Sequence, residues 1–144
     1  MLFGRKKRHI NRILVVEDEP LVAFDTEHFL GASGFEIAAT VDTVAGALAT
    51  LQSGVDLDLV LVDINLSDGS GLDVARAAHE RGMPVLLVTG ACPLDAQVFA
   101  AGCLAKPYPQ KDLLSAIDAI DAVIGGAKLP RRLPSGFNLF RTAA

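Results

Sequence analysis

The chain has 144 residues, of which 51% are hydrophobic, and its formal net charge is −4 at pH 7. This length and composition suit one domain with a single hydrophobic core and argue against a second domain. No apolar run approaches the roughly 20 residues of a membrane span, and the basic start lacks the features of a secretory signal, so we expect a cytoplasmic protein.

Positive charge is concentrated at the two ends of the chain. Residues 1–12 carry five Lys or Arg and residues 126–144 carry four, whereas all 17 acidic residues lie between them. Such blocks are typical of arms that fold back on an acidic body or that bind an anionic partner, and both interpretations remain open. We therefore divide the chain into a basic arm (residues 1–11), a domain (residues 12–124) and a basic, aromatic tail (residues 125–144).

Apolar runs alternate with segments of helical spacing along the domain. The predicted strands cover residues 13–16, 35–41, 57–62, 85–88 and 103–105. The predicted helices cover residues 20–30, 43–52, 72–82, a short piece at 94–101, and 110–124. Pro20 suits the first position of the first helix, whose apolar face is expected to include Leu21 and Phe24. Strands that alternate with helices predict an α/β fold, a doubly wound parallel sheet with helices on both faces.

Four of the predicted strands end in residues that can handle a phosphate or a divalent cation. Glu17 and Asp18 follow the first strand, Asp63 the third, Thr89 the fourth and Lys106 the fifth. Ligands of such sheets bind beyond the carboxyl ends of the strands. Three carboxylates that converge there need a cation, and Mg²⁺ suits hard oxygen ligands beside a phosphate. A carboxylate can also attack phosphorus, while a hydroxyl and an ammonium can hold the transferred group.

Four short motifs stand at these strand ends. They are ILVVEDEP from Ile13, LVDINLSDG from Leu61, VTG from Val88, and Lys106-Pro107. Together they resemble the receiver domain of two-component response regulators, over about residues 12–124. The resemblance implies a flavodoxin-like fold with a five-stranded parallel sheet in the order 2-1-3-4-5.

The resemblance also implies how the site would hold a phosphoryl group. Asp63 would be the phospho-acceptor, and Thr89 and Lys106 would contact the phosphoryl oxygens. The peptide bond between Lys106 and Pro107 would be cis, since cis bonds in proteins occur mainly before proline and mark tight turns.

A Mg²⁺ cofactor follows from the same resemblance. Asp18 and Asp63 would bind the ion directly, and Glu17 would act through water. The backbone carbonyl of Asn65 would supply a further ligand.

Two features depart from the usual pattern of receivers. In most members an aromatic residue three positions before the lysine swings inward when the switch hydroxyl moves toward the phosphate, but here this position is Cys103. With no export signal, Cys92 and Cys103 are expected to be reduced, buried thiols; a redox role for Cys103 is the disfavoured alternative. The span from Thr89 to Lys106 is short, which predicts a shortened fourth helix and a soft face at residues 92–103, the alternative being a rigid loop.

The sequence therefore predicts a single-domain response regulator. It would accept a phosphoryl group on Asp63 from a sensor histidine kinase or a histidine phosphotransfer protein, and would signal by altered protein binding. No DNA-binding domain is expected after residue 124, so the target is an unknown protein. A homodimer through the fourth helix, fifth strand and fifth helix is one option. No enzymatic activity is expected beyond self-phosphorylation and autodephosphorylation.

Two other functions stay open at this stage. A receiver-like adaptor that does not use phosphate is mildly favoured by Cys103 in place of the aromatic residue, but the presence of all the residues needed for phosphate chemistry argues against it. A Mg²⁺-dependent aspartyl-phosphate phosphatase is disfavoured, because its Asp-x-Asp motif follows the first strand, whereas Asp63 follows the third and Asn65 replaces the second Asp.

The tail carries an apolar group that is unusual for a disordered segment. Its members are Phe137, Leu139 and Phe140. We expect them to pack back on the domain, with binding to a partner as the alternative.

Overall fold

The computed structural model describes residues 8–140, and these form an α/β fold. The strands are β1 (Arg12–Val16), β2 (Glu36–Val41), β3 (Leu59–Asp63), β4 (Asn65–Leu66), β5 (Gly69–Ser70), β6 (Val85–Thr89), β7 (Gly102–Ala105) and β8 (Phe137–Leu139). The helices are α1 (Pro20–Ala32), α2 (Val44–Gln52), α3 (Gly71–Glu80) and α4 (Gln110–Ile124). A single 3-10 helix, Leu94–Val98, lies between β6 and β7.

Six strands form the main sheet in the order β2-β1-β3-β6-β7-β8. The first five are parallel to one another, which confirms the predicted order of 2-1-3-4-5. The expected count of five is one too few, because β8 from the tail adds an antiparallel strand to the edge of β7. The remaining two strands, β4 and β5, form a separate hairpin after β3.

The central strands are buried because both faces of the sheet carry helices. Alternate residues of β1 contribute to two separate cores: Leu14 and Val16 to one, Ile13 and Val15 to the other. The first core includes buried residues of α2 and α3, and the second includes buried residues of α1 and α4. This sandwich fixes the strand ends on which the candidate site is built.

Helix α1 begins at Pro20 as predicted, but its buried face differs from the predicted one. Leu21 and Phe24 are 78% and 59% exposed, whereas Ala23 and Leu30 are buried. Apolar residues occur around most of this helix, so several faces satisfied the helical spacing equally well. The small side chain of Ala23 lets the helix approach the sheet, and the two large side chains remain on the surface.

The segment between β6 and β7 departs from the sequence prediction in two ways. The helix expected at residues 94–101 is a 3-10 helix of five residues, because Pro93 limits where it starts and the chain must reach β7 at Gly102. The expectation of reduced thiols is wrong in this structure: Cys92 and Cys103 form a disulfide, with their Cα atoms 6.2 Å apart. Eleven positions of sequence separated the two cysteines, and their proximity depends on the return of the chain into β7.

The basic arm is described from Arg8 onward, and this part folds back on the domain. The guanidinium of Arg8 lies 4.2 Å from the ring centroid of Phe35, donates to the carbonyl of Ser33 and lies 3.7 Å from a carboxylate oxygen of Asp118. Asp121 accepts hydrogen bonds from two backbone N–H groups just after Arg8. Residues 1–7, with the other arm cations Arg5, Lys6 and Lys7, lie outside the described residues.

The tail also packs on the domain. Phe137 is 6% exposed and belongs to the core that includes α4. Gly102 makes room for it, since a Cβ atom at that position would lie 2.6 Å from Cε1 of Phe137. The N–H of Phe140 donates to the carbonyl of Ala101. The tail therefore closes the edge that β7 would otherwise present to solvent.

We expect the Phe137→Ala variant to lose about 3 kcal/mol of unfolding free energy, because a buried ring is removed from a packed site. Asn138→Ala is the matched control: it lies next to Phe137 on β8 but is exposed, so its effect should stay within about 0.5 kcal/mol. Urea denaturation of both variants measures the difference. If Phe137→Ala had the same unfolding free energy as Asn138→Ala and the wild type, burial of the Phe137 ring would contribute nothing to stability.

Candidate functional site

Three carboxylates meet at the carboxyl edge of the sheet. Strands β1 and β3 are parallel neighbours in which Val16 pairs with Val62, so the residues that follow these two lie side by side. One carboxylate oxygen from each of Glu17, Asp18 and Asp63 lies within 4.8 Å of the others. Glu17 and Asp63 are buried, at 7% and 6% exposure. The fold therefore holds three negative charges close together, and water screens their repulsion poorly because two of them are buried.

Lys106 supplies the opposing charge from the loop that follows β7. Its Nζ lies 2.9 Å from Asp63 Oδ2 and 3.3 Å from Glu17 Oε1. Burial alone would lower the pKa of Lys106, but the hydrogen bond that its ammonium donates to Asp63 and the attraction of Glu17 outweigh burial and raise that pKa above its ordinary value. Lys106 therefore stays an ammonium at neutral pH.

Glu17 responds in the opposite sense to its surroundings. Burial raises its pKa above the ordinary value, even though Lys106 and the N–H of Glu19 both favour the ionised form. The negative charge of Asp63 adds to the increase. Desolvation of Glu17 and its repulsion by Asp63 thus outweigh the stabilisation that the shared Lys106 ammonium gives to its ionised form.

The donor set fits the Mg²⁺ ion implied by the sequence. Three carboxylates face one ammonium, so the site carries excess negative charge when all are ionised. Mg²⁺ prefers oxygen ligands and accepts one or two carboxylates together with water. The backbone of Asn65 adjoins the site, since its N–H donates to Asp63 Oδ1 at 3.1 Å. The ligand roles of Asp18, Glu17 and the Asn65 carbonyl stay predictions.

Thr89 lies at the end of β6, the strand next to β3, and is 5% exposed. Its hydroxyl makes two long hydrogen bonds, donating to the carbonyl of Ala91 at 3.3 Å and accepting from the N–H of Ala91 at 3.4 Å. The N–H of Lys106 donates to the Thr89 carbonyl at 2.7 Å, and the Lys106–Pro107 peptide bond is cis. Thr89 and Lys106 therefore lie next to each other at the carboxyl ends of β6 and β7.

The loop after Asp63 turns back tightly onto that residue. The N–H of Gly71 donates to the carbonyl of Ile64 at 2.6 Å, and Gly71 begins α3. A Cβ atom at Gly71 would lie 2.1 Å from the backbone carbonyl oxygen of Asp63. Only a glycine permits this approach without displacing the backbone of Asp63.

Asp68, in the same loop, is a residue whose role the sequence reasoning missed. Its two carboxylate oxygens accept hydrogen bonds from the N–H groups of Val44 and Ala45, at 2.7 and 3.1 Å. These N–H groups open α2, where Thr43 also caps the helix through the N–H of Gly46. The hydrogen bonds from Val44 and Ala45 lower the pKa of Asp68. A capping carboxylate brought from a distant loop leaves no local signal in the sequence.

A cavity of about 300 Å³ adjoins the site between α1 and the start of α4. Lys106, Tyr108 and Thr26 line it together with neighbouring residues. Burial raises the pKa of the Tyr108 phenol, so this group stays neutral. The exposed side chains of Leu21 and Phe24 belong to the same helix α1.

Residues 13–118 match the family model of the response regulator receiver domain. The chain belongs to this family. Receiver domains bind Mg²⁺ at an acidic pocket and interact with histidine kinases or phosphotransfer proteins, and this chain holds an acidic cluster of Glu17, Asp18 and Asp63. Among residues 8–140, no helix has the length and apolar character that a membrane crossing requires.

Individual relatives agree with this assignment. The chain is 31% identical to the cell cycle transcriptional regulator CtrA of Caulobacter vibrioides over 116 residues, which cover 76% of this chain and 49% of that protein. It is also similar to the crystal structure of a CheY-like receiver domain protein from Methanospirillum hungatei, with 31% identity, a TM-score of 0.67, and coverage of 76% of this chain and 91% of that one.

A further similar structure is the response regulator TrrA of Thermotoga maritima, solved in complex with Mg²⁺ and BeF. Its sequence identity to this chain is 28% and the TM-score is 0.69, with 77% of this chain and 99% of that one covered. The chain spans about half the length of the curated relative CtrA. The similarity therefore concerns the receiver domain, and the activity of the full-length relative is not assigned to this chain.

We expect Gly71→Ala to lower the unfolding free energy by about 1–3 kcal/mol, because the added methyl group overlaps the Asp63 carbonyl. The matched control is Gly31→Ala in α1, where a Cβ atom has no neighbour within 4 Å among the described residues. That substitution should raise the unfolding free energy by about 0.5–1 kcal/mol, because alanine lowers the backbone entropy of the unfolded chain. Changes of the same sign in both variants, measured by urea denaturation, would contradict the close approach at Asp63.

Asp68→Asn should lower the melting temperature at pH 7, since the ionised carboxylate caps α2. The folded-state pKa of Asp68 is lowered, so its stabilising contribution is present above the unfolded-state pKa and is lost as the pH falls through the folded-state value. The difference between wild type and variant should therefore shrink below about pH 4.

The control for this measurement is Asp56→Asn. The Asp56 carboxylate is exposed and accepts no hydrogen bond within residues 8–140. The melting temperature of Asp56→Asn should therefore equal that of the wild type at every pH. If the melting temperature of Asp68→Asn were lower than that of the wild type by the same amount at every pH, the charge of Asp68 would not be what stabilises the start of α2.

Proposed function

We propose that this chain is a phosphorylation-dependent receiver. It accepts a phosphoryl group on Asp63 from a sensor histidine kinase or a histidine phosphotransfer protein, and it signals by altered protein binding. One observation carries the proposal: the buried carboxylate of Asp63 lies 2.9 Å from the Lys106 ammonium and within 4.8 Å of the acids that follow β1. A nucleophile, a countercharge and oxygen ligands for a cation thus share one sheet edge.

The chemistry is the transfer of a phosphoryl group between two nucleophiles. A carboxylate oxygen of Asp63 forms a bond to phosphorus as the phosphorus–nitrogen bond of the donor phosphohistidine breaks, and the imidazole keeps the electron pair of that bond. Lys106 offsets the negative charge on the phosphoryl oxygens as a point charge. Thr89 donates its hydroxyl hydrogen to one of these oxygens once it leaves Ala91. The product is an acyl phosphate on Asp63.

Asp18, Asp63 and the Asn65 carbonyl would hold Mg²⁺, with Glu17 acting through water. When bound, this ion supplies positive charge that offsets the excess of carboxylates and the negative charge of the phosphoryl group. The buried position of Glu17 and its hydrogen bonds from Lys106 and the Glu19 N–H keep its carboxylate oriented toward the site.

The output of such a receiver is binding rather than turnover of an outside substrate. Helix α1 offers a surface for this, because Leu21 and Phe24 are exposed on the helix that lines the cavity beside Lys106. Self-phosphorylation and autodephosphorylation are the only catalytic steps in the proposal. Contact with a histidine kinase or phosphotransfer protein of the cytoplasm places the chain in that compartment.

A homodimer through the face of the 3-10 helix, β7 and α4 meets an obstacle. Strand β8 of the same chain pairs with β7 and occupies that edge of the sheet. A second copy would have to bind over β8 and the exposed Leu94 and Val98, and it could not pair directly with β7. The proposal therefore does not depend on dimerisation.

Beryllofluoride with Mg²⁺ tests the acceptor directly, since it mimics a phosphoryl group on a carboxylate. At about 100 times the dissociation constant, it should stabilise the wild type against unfolding by about 2.7 kcal/mol, seen as a rise in melting temperature. Asp63→Asn should lose this response, and acetyl phosphate should add the mass of one phosphoryl group to the wild type only. Omitting Mg²⁺ should abolish both effects.

Asp73→Asn is the matched control, because Asp73 is an exposed carboxylate on α3 whose ionic partner is Arg76. It should respond to beryllofluoride as the wild type does. An identical response of wild type and Asp63→Asn would refute the proposal and favour the phosphate-independent adaptor. Hydrolysis of a generic phosphate ester above background would favour the phosphatase.

A further inference from the structure

The disulfide between Cys92 and Cys103 joins two segments that leave the site. Cys92 lies three positions after Thr89, and Cys103 lies three positions before Lys106. Cys103 is held on both sides by the sheet, where it pairs with Leu87 of β6 and with Asn138 of β8. The bond therefore ties the segment after Thr89 to a fixed point in the sheet.

A short series of contacts connects this bond with the Thr89 hydroxyl. The backbone N–H and carbonyl of Ala91 hold that hydroxyl, at 3.4 and 3.3 Å, and Ala91 is covalently followed by Cys92. These hydrogen bonds are long and therefore weak, so they are easily exchanged for a better acceptor. The position of Ala91 is restrained, however, because its neighbour Cys92 is anchored to β7 through the disulfide.

The two cysteines differ in their exposure to solvent. Cys103 is fully buried, whereas Cys92 is half-buried on the outer side of the bond. An external thiolate can therefore attack the sulfur of Cys92, and the thiolate of Cys103 is the leaving group. Exchange rates in proteins depend on which sulfur is attacked and on its access, so this asymmetry sets the direction of reaction.

We propose that the Cys92–Cys103 disulfide is a thiol–disulfide exchange site for a dithiol reductant, and that its reduction releases Thr89 to engage a phosphoryl group on Asp63. The second half of this proposal rests on the proposed function. The reductant thiolate forms a mixed disulfide with Cys92, and Cys103 leaves and takes a proton. The second thiol of the reductant then closes its own disulfide and releases Cys92, so two electrons and two protons pass to the protein.

The composition of the linked segment agrees with a controlled restraint. Residues 92–103 contain one short 3-10 helix, and its Leu94 and Val98 are 93% and 65% exposed. Buried Ala96, Phe99 and Ala100 hold the later part of this segment, and the disulfide adds a covalent restraint at its start, next to Ala91. In the cytoplasm, where the proposed kinase partner acts, disulfides are usually transient or redox-sensing, and an exchangeable bond fits that compartment.

The exchange half is tested on the intact protein with dithiothreitol under native conditions. The reductant is then removed and the protein is unfolded in the presence of an alkylating agent, so that a buried thiol also reacts; mass spectrometry should show no modified cysteine without the treatment and two after it. Hydrogen exchange at residues 90–101 should become faster in the reduced form, while β6 and β7 keep their protection. A disulfide that is reduced only after the protein unfolds would refute the exchange site.

The coupling half is tested by titrating Mg²⁺ and beryllofluoride into both redox forms, with dithiothreitol removed beforehand under argon. The reduced form should bind at least about fivefold more tightly, which is the lower end of typical coupling between linked sites. The double variant Cys92→Ser with Cys103→Ser should match the reduced wild type and should not respond to dithiothreitol. The reduced wild type itself serves as the measurement if that variant fails to fold.

Equal affinities of the oxidised and reduced wild type would refute the coupling. The same holds for tighter binding by the oxidised form, which would mean that the disulfide preorganises Thr89. Absence of beryllofluoride binding in every form is a failure of the proposed function instead, and the alkylation result then decides the exchange site independently.

Discussion

The shared ion pair of Lys106 with Asp63 and Glu17 is the interaction on which the rest of the site depends. Two buried acids lie beside a third carboxylate, and their repulsion is offset by one ammonium at 2.9 and 3.3 Å. A surface ion pair typically contributes about 0–1 kcal/mol, whereas breaking a buried pair costs about 3–5 kcal/mol. Because the Lys106 side chain is 29% exposed, this pair lies between those limits. Lys106 therefore supports the folded state as well as the proposed chemistry.

This balance of charge also explains why the parts of the site act together. Lys106 is shared by two carboxylates before any phosphoryl group arrives, and the raised pKa of Glu17 reflects burial that the ammonium does not fully offset. In the proposed function, a phosphoryl group on Asp63 would add negative charge at this point and compete for the same ammonium. Thr89 adjoins this point, since its carbonyl accepts a hydrogen bond from the backbone N–H of Lys106 at 2.7 Å.

The sequence predicted the features that depend on local pattern. The β-branched runs indicated the buried strands β1, β3 and β6, and each polar residue after a run was therefore assigned to one sheet edge. The carboxylate cluster and Lys106 follow from that pattern without knowledge of any distance. The buried face of α1 was wrong because apolar residues surround that helix, and the choice between Ala23 and Phe24 depends on how closely the helix approaches the sheet.

Features that depend on partners distant in sequence were not predicted. The cap that Asp68 provides for α2, the pairing of β8 with β7, and the disulfide of Cys92 each join segments whose proximity exists only in the folded chain. The tail residue Phe137 carried a partial signal, because an aromatic side chain in a polar tail is more stable when buried. Its location over Gly102 could be read only from the structure.

The structure also limits which surfaces of the domain can transmit a change at Asp63 to a partner. In the usual receiver pattern the position of Cys103 carries an aromatic side chain that rotates, but here the side chain is buried in β7 and covalently bound to Cys92. Strand β8 covers the outer edge of β7, so that strand cannot report by pairing with a partner. Besides helix α1, the segment after Thr89 is therefore a surface through which the proposed signal can act, because Leu94 and Val98 are exposed there. In the proposal, the disulfide limits how far this segment can move.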